Sequence, residues 1–153
     1  MPKKYDTFIS FQHDDVMQAR GLRLLNANPN HQVAFRERSF IDPIKGKPDA
    51  HVWNAITSEI DQSAVVLVLV GNNTHKSNWV PEEVQYAIDK GIPVTAQTLP
   101  GKDEAVIPAC LKENNVPVEK WNPQSLNEQI SRAVKEGKAA QGNKAAPKTG
   151  GGC

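Results

Sequence analysis

The sequence predicts an α/β protein built on a doubly wound, mostly parallel sheet of about five strands, with helices on both faces. Three observations carry this. Ala64 to Val70 reads AVVLVLV, a continuous β-branched and leucine run of the kind found in a strand buried on both faces. Segments rich in β-branched and aromatic residues alternate along the chain with segments of helical periodicity. Proline, glycine and asparagine fall between them as stops.

The elements follow in order. Tyr5 to Phe11, YDTFISF, predicts the first strand. Asp14 and Asp15 suit the N-terminus of a helix from about Asp15 to Asn28, where Val16, Ala19, Leu22 and Leu25 recur at threes and Asn28-Pro29-Asn30 makes the stop. Val33 to Phe35 is a short second strand. The polar stretch Arg36 to Lys47 is long for a connection, which marks it as a functional loop. Pro48 and Asp49 open a second helix whose stripe is Val52, Ala55, Ile56 and Ile60. After the buried strand, Gly71 to Thr74 forms a loop. A third helix then runs from near Pro81 to Lys90-Gly91, a basic last turn followed by a glycine stop. Ile92 to Thr98 is a strand, Val106 to Asn115 a weak helix or turn, and Val116 to Trp121 a last short strand. Asn122 to Ser125 caps a final helix from Leu126 to about Lys138. Residues 1–138 therefore make one domain, and 139–153, AAQGNKAAPKTGGGC, read as a disordered tail or an artificial extension.

Composition narrows the function classes. The 18 Lys and Arg nearly balance the 17 Asp and Glu, which gives no bulk charge for a nucleic-acid partner. The two cysteines, Cys110 and Cys153, make neither a CxxC pair nor a metal-ligand spacing, so neither a disulfide framework nor a metal site is expected. Cys110 is expected to pack as a structural residue beneath the last helix. No signal-like apolar stretch precedes the first strand and no apolar run is long enough to span a bilayer. A cytoplasmic protein without membrane partners is the expectation.

In an open parallel sheet, ligands bind beyond the carboxyl ends of the strands. Those ends carry Ser10 to His13, Arg36 to Lys47, Gly71 to Trp79 and Leu99 to Asp103. Neither GxGxxG nor GxxxxGK(S/T) occurs, which argues against a dinucleotide-binding dehydrogenase and a P-loop enzyme. The segment Asn78-Trp79-Val80-Pro81-Glu82-Glu83 sets an aromatic ring and a carboxylate four residues apart on one side of a helix. Such a pair suits ribosyl transfer, in which a carboxylate stabilises an oxocarbenium-like sugar. Spacing alone leaves a second reading open, with a glutamate favouring the helix dipole in the first turn and a tryptophan filling the core. Glu82 lies about a hundred degrees round the helix and reads as solvated. His13, His75 and Lys76 suit solvated loops as well as a phosphate contact, and Asp42 suits a turn before Pro43 as well as a reach into the site. Trp53 and Trp121 read as packing residues.

A resemblance bears on the choice. YDTFISF with its following acidic residues is similar to the opening strand and first loop of TIR domains. AVVLVLVG, then a Thr/Lys/Ser-containing loop, then WVPEE and a helix ending in KG, resembles their third strand and third helix. The likeness is greatest to the TIR-like proteins of bacterial Thoeris anti-phage systems. There a Trp-x-x-x-Glu motif carries the catalytic glutamate, and here that motif is Trp79 to Glu83. It covers about Tyr5 to Val134 and implies a flavodoxin-like, TIR-like fold. It also implies an enzyme that takes NAD as substrate rather than cofactor, releases nicotinamide, and forms a cyclic, hydrolysed or conjugated ADP-ribose product. Glu83 would be catalytic, with Ser10, Phe11 and Trp79 binding substrate. A separate effector protein would sense the product, and a homo-oligomer is a further expected assembly. Val80 stands where many TIR domains carry cysteine, and Arg36 to Lys47 departs from the usual TIR loop. Two other readings remain: a non-catalytic TIR-like interaction module, and a receiver-like sensor. The receiver reading is weakened because Gly71-Asn72-Asn73 follows the buried strand where a phospho-acceptor Asp would stand.

Overall fold

The computed structural model describes residues 5–12, 15–25, 33–35, 50–102 and 104–142. Five strands make one sheet: β1 (Tyr5–Ser10), β2 (Val33–Phe35), β3 (Val65–Val70), β4 (Val94–Thr98) and β5 (Val118–Glu119). The spatial order is β2-β1-β3-β4-β5 and every neighbouring pair is parallel. Five helices connect or follow the strands: α1 (Val16–Leu25), α2 (Ala50–Asp61), α3 (Trp79–Asp89), α4 (Ala109–Glu113) and α5 (Leu126–Gly142). The expected doubly wound α/β architecture is the observed one.

The core divides along the two faces of the sheet. On one face, Phe8, Val66, Val68, Val70 and Ala96 pack against Ile56 and Ile60 of α2, Val80, Val84 and Ala87 of α3, and Leu111 of α4. On the other, Ile9, Val65, Leu67, Leu69 and Leu99 pack against Ala19 and Leu22 of α1 and Leu126, Ile130 and Val134 of α5. Alternation along β3 thus sends successive valines and leucines to opposite cores, and all six residues are buried. This is why its sequence shows no polar face.

Several boundaries differ from the sequence expectation, each for a local reason. Helix α3 begins two residues before Pro81 because the Ser77 hydroxyl accepts the N–H groups of Trp79 and Val80, both at 3.1 Å. Pro81 then sits within the first turn, where a missing N–H costs nothing. The helix ends as expected at Gly91, which takes φ 75°. There Gly91 N–H donates to the Ile88 carbonyl at 3.0 Å and Ile92 N–H to that of Ala87 at 2.8 Å, the paired bonds of a Schellman motif. The weak segment 106–115 contains only the short α4, and β5 has two residues rather than six. Helix α5 continues past Lys138 to Gly142, because Ala139 and Ala140 extend a helix readily. Residues 143–153 of the expected tail lie outside the described residues, as do His13, Asp14 and residues 36–49, which include the expected functional loop Arg36 to Lys47. Cys110 is buried as expected but not beneath α5: it lies on α4 in the opposite core, with α2 and α3.

Candidate active site

The strand order reverses direction at β1. From there the chain steps outward to β2, then crosses back to β3 on the other side. The carboxyl ends of β1 and β3 therefore flank the switch point, where open α/β sheets form their ligand crevice. Ser10 ends β1, in register with Val68, and Gly71 follows β3.

Two local devices shape this edge. Gly71 N–H donates to Thr74 Oγ1 at 2.7 Å, and the same hydroxyl donates to the Leu69 carbonyl at 3.3 Å, which turns the chain tightly after β3. The Asp15 carboxylate lies against Gly71, so a Cβ there would stand 2.6 Å from Asp15 Oδ2. A side chain at this position would have to displace the Asp15 carboxylate.

Glu83 projects from α3 toward β1. The Ser10 hydroxyl donates to Glu83 Oε1 at 2.7 Å, and this is the carboxyl's one hydrogen bond among the described residues. Ser10 is fully buried and Glu83 retains only 7% exposure. Burial pushes the Glu83 carboxyl up from the usual 4.5 to about 8, and the Ser10 hydrogen bond pulls the other way without cancelling it. At neutral pH the resting carboxyl is predominantly protonated. Glu82, by contrast, is exposed and is the acidic residue of the first turn. The helix-dipole explanation available from spacing therefore belongs to Glu82, and Glu83 lies past the first turn in an apolar setting.

The four residues singled out in the sequence separate as follows. Ser10 and Glu83 meet. Trp79 lies one turn before Glu83 on the same face of the sheet, 6% exposed, packed into the core of α2, α3 and α4. Phe11 is buried on the opposite face with Ile9, Leu22, Leu69 and Leu99. Alternation past the end of β1 turns its ring away from Glu83, so Ser10 and Phe11 do not share one wall. His75 and Lys76 are exposed, Trp53 and Trp121 pack at the core margins, and Asp42 and His13 fall outside the described residues.

The sequence reading missed Thr98. It closes β4 beside Val70, is 3% exposed, and its Oγ1 has no hydrogen-bond partner among the described residues. Two residues after Ala96, it faces the side of the sheet that carries α3. A buried hydroxyl left without a partner costs roughly 1–3 kcal/mol and needs a reason. The available signal was strand alternation, which places a polar side chain on an otherwise apolar face. No grouping of His, Cys, Asp and Glu suited to a metal ion occurs among the described residues, and no described helix is long and apolar enough to cross a membrane.

The family profile described as "Thoeris protein ThsB, TIR-like domain" matches residues 8–104. The chain belongs to the Thoeris ThsB TIR-like family. The ThsB-matched segment runs from the middle of β1 past the end of β4 and contains Ser10, Phe11, Trp79 and Glu83. Helix α4, β5 and α5 lie beyond it. Among solved structures, the chain is similar to the TIR domains in the structure of the activated Roq1 resistosome directly recognizing the pathogen effector XopQ. Identity is 12% and the TM-score 0.45, over 92% of this chain and 85% of that one. No curated protein matches the chain.

Proposed function

We propose that this protein is an NAD-cleaving enzyme of bacterial anti-phage defence that releases nicotinamide and forms an ADP-ribose-derived signalling molecule. The observation that carries this reading is the buried Ser10–Glu83 pair at the sheet's switch point, within the segment matched to the ThsB TIR-like family. Breaking the bond between nicotinamide and ribose sends its electron pair to the ring nitrogen and leaves positive charge on the sugar. A carboxylate beside that carbon stabilises the charge most where water is scarce, because the interaction is least screened there. An acceptor then attacks the sugar carbon and loses its proton. The acceptor determines whether the product is cyclic, hydrolysed or conjugated. A separate effector that senses the product, and self-association of the enzyme, belong to the same proposal.

The test is mass spectrometry of small molecules from cells expressing the protein or its Glu83→Gln form, with and without phage challenge. The expected result is loss of NAD with a new ADP-ribose-containing product, both abolished in the folded variant. Unchanged NAD under every condition, with the protein abundant, would turn the assignment toward a TIR-like interaction module. Equal NAD loss in the variant would remove Glu83 from the chemistry.

A further inference from the structure

A buried carboxyl is ordinarily matched by a cation. Here the partner of Glu83 is a neutral hydroxyl, Ser10. Among the described residues, the charged side chains on the elements around it do not fill the role. On β1, Asp6 stands near the opposite end of the strand and is exposed, while β3 and β4 carry no ionisable side chain. On α3, Glu82 and Asp89 are exposed, and Lys90 at its end lies over the Tyr86 ring. On α2, Glu59 is partly buried and Asp61 accepts the Tyr86 hydroxyl at the outer surface. Lys112 and Glu113 of α4 are exposed, as are His75 and Lys76 in the turn before α3. Asp15, against Gly71, adds a second acid to this edge. Among the described residues, burial and the Ser10 hydroxyl are the two influences on the Glu83 carboxyl, and no charged group joins them.

We infer that the site captures its substrate by exchanging the Glu83 proton for the positive charge of an N-ribosyl pyridinium, and so discriminates the cationic from the neutral form of the same dinucleotide. This rests on the proposed NAD-cleaving function and names how its site reads the ligand. An ionised carboxylate without a partner is costly at so buried a position, and a ring cation beside it removes that cost. The oxidised nicotinamide ring carries this charge and the reduced ring does not. Protonated at rest, Glu83 has a proton to release at neutral pH. On binding, that proton goes to solvent and the carboxylate faces the ring. When the bond breaks, the electron pair leaves with neutral nicotinamide, and the charge passes to the ribosyl carbon, still beside the carboxylate. The acceptor's proton then returns to Glu83, so charge and protons balance over one cycle.

The test is isothermal titration calorimetry of the full chain at pH 7 in phosphate and in Tris, buffers of different ionisation enthalpy. The two probes are carba-NAD, cationic and without a labile glycosidic bond, and NADH, whose ring is neutral. Carba-NAD is expected to release close to one proton per site at pH 7, with the release halved near pH 8 and nearly gone by about pH 9 as the resting carboxyl ionises. NADH is expected to bind on the order of tenfold more weakly or worse, and without proton release. In Glu83→Gln, checked for folding by circular dichroism, proton release should vanish and the preference should shrink. Equal affinity for the two probes, or carba-NAD binding with no proton released at pH 7, would overturn the inference. NAD cleavage together with that outcome leaves the enzyme reading standing and sinks only the exchange. Proton-linked carba-NAD binding in a protein that never cleaves NAD supports the exchange and sinks the enzyme reading. Binding of neither probe overturns both.

Discussion

Ser10 moderates the ionisation of Glu83 as well as holding its position. Its hydroxyl donates at 2.7 Å and lowers a carboxyl that burial has raised. Ser10→Ala removes the lowering influence, so the carboxyl titrates higher and less of it is ionised at any neutral pH. The rate limb that rises as Glu83 ionises should move to higher pH, and kcat/KM at pH 7 should fall on the order of tenfold, the scale of one hydrogen bond to a charged group. A pH–rate profile of NAD consumption checks this. A fall in rate with the limb unmoved would give Ser10 a packing role only. The sequence made Glu83 visible through its spacing from Trp79 and made Ser10 visible through resemblance, but not their contact. They are 73 positions apart in the chain, and only the β2-β1-β3 order brings the end of β1 under α3. The same limit explains Phe11. It follows Ser10 directly, and a one-residue step past a strand end is enough to put it in the opposite core.

At the scale of elements, legibility followed hydrophobic contrast. β3 was plain because both its faces are apolar. β5 was placed within Val116 to Trp121 but its extent was not legible, since two half-buried residues at a sheet edge leave little pattern to read. The anchoring of α5 was hidden as well. Gln97 of β4 donates to Gln129 Oε1 at 2.6 Å, while Gln129 donates to Thr95 Oγ1 and to the Ala96 carbonyl, both at 2.8 Å. Asn122 completes the network by donating its N–H to Gln97 Oε1 at 3.2 Å. In sequence these are isolated amides in a strand and a helix; in the fold they are a satisfied buried network. Helix α5 makes a second close approach at its far end. A Cβ on Gly137 would stand 2.6 Å from Cγ of Pro93, a ring that cannot swing aside. Helix propensity favours alanine over glycine by about 1 kcal/mol, but overpacking costs roughly 1–3 kcal/mol. Gly137→Ala should therefore be neutral to destabilising by about 2 kcal/mol, read from the urea midpoint. A clear gain in stability would show that α5 stands further from the α3–β4 connection.

For the whole molecule, the Glu83 carboxyl couples stability to pH. In the unfolded chain it ionises near the usual 4.5, whereas in the fold it does so near 8. Between those values the unfolded chain binds fewer protons than the folded one, so this group's contribution is fully present below about 4.5 and is lost as pH rises through 8. The loss is on the order of a few kcal/mol, a sizeable share of a single domain's stability. Glu83→Gln keeps the shape and removes the titration. The parent and variant should have similar denaturation midpoints near pH 4.5, and the variant should become progressively more stable than the parent from about pH 5 to pH 8, with the difference level above that. Comparing the two at each pH cancels the histidines and surface carboxylates, which titrate in both. Parallel curves would mean that the carboxyl is already ionised in the fold, and the proton exchange proposed for substrate capture would fall with that result. The same buried position therefore explains two opposed behaviours. It destabilises the empty protein as pH rises, and it reserves the ionised carboxylate for a cation that takes the place of its proton.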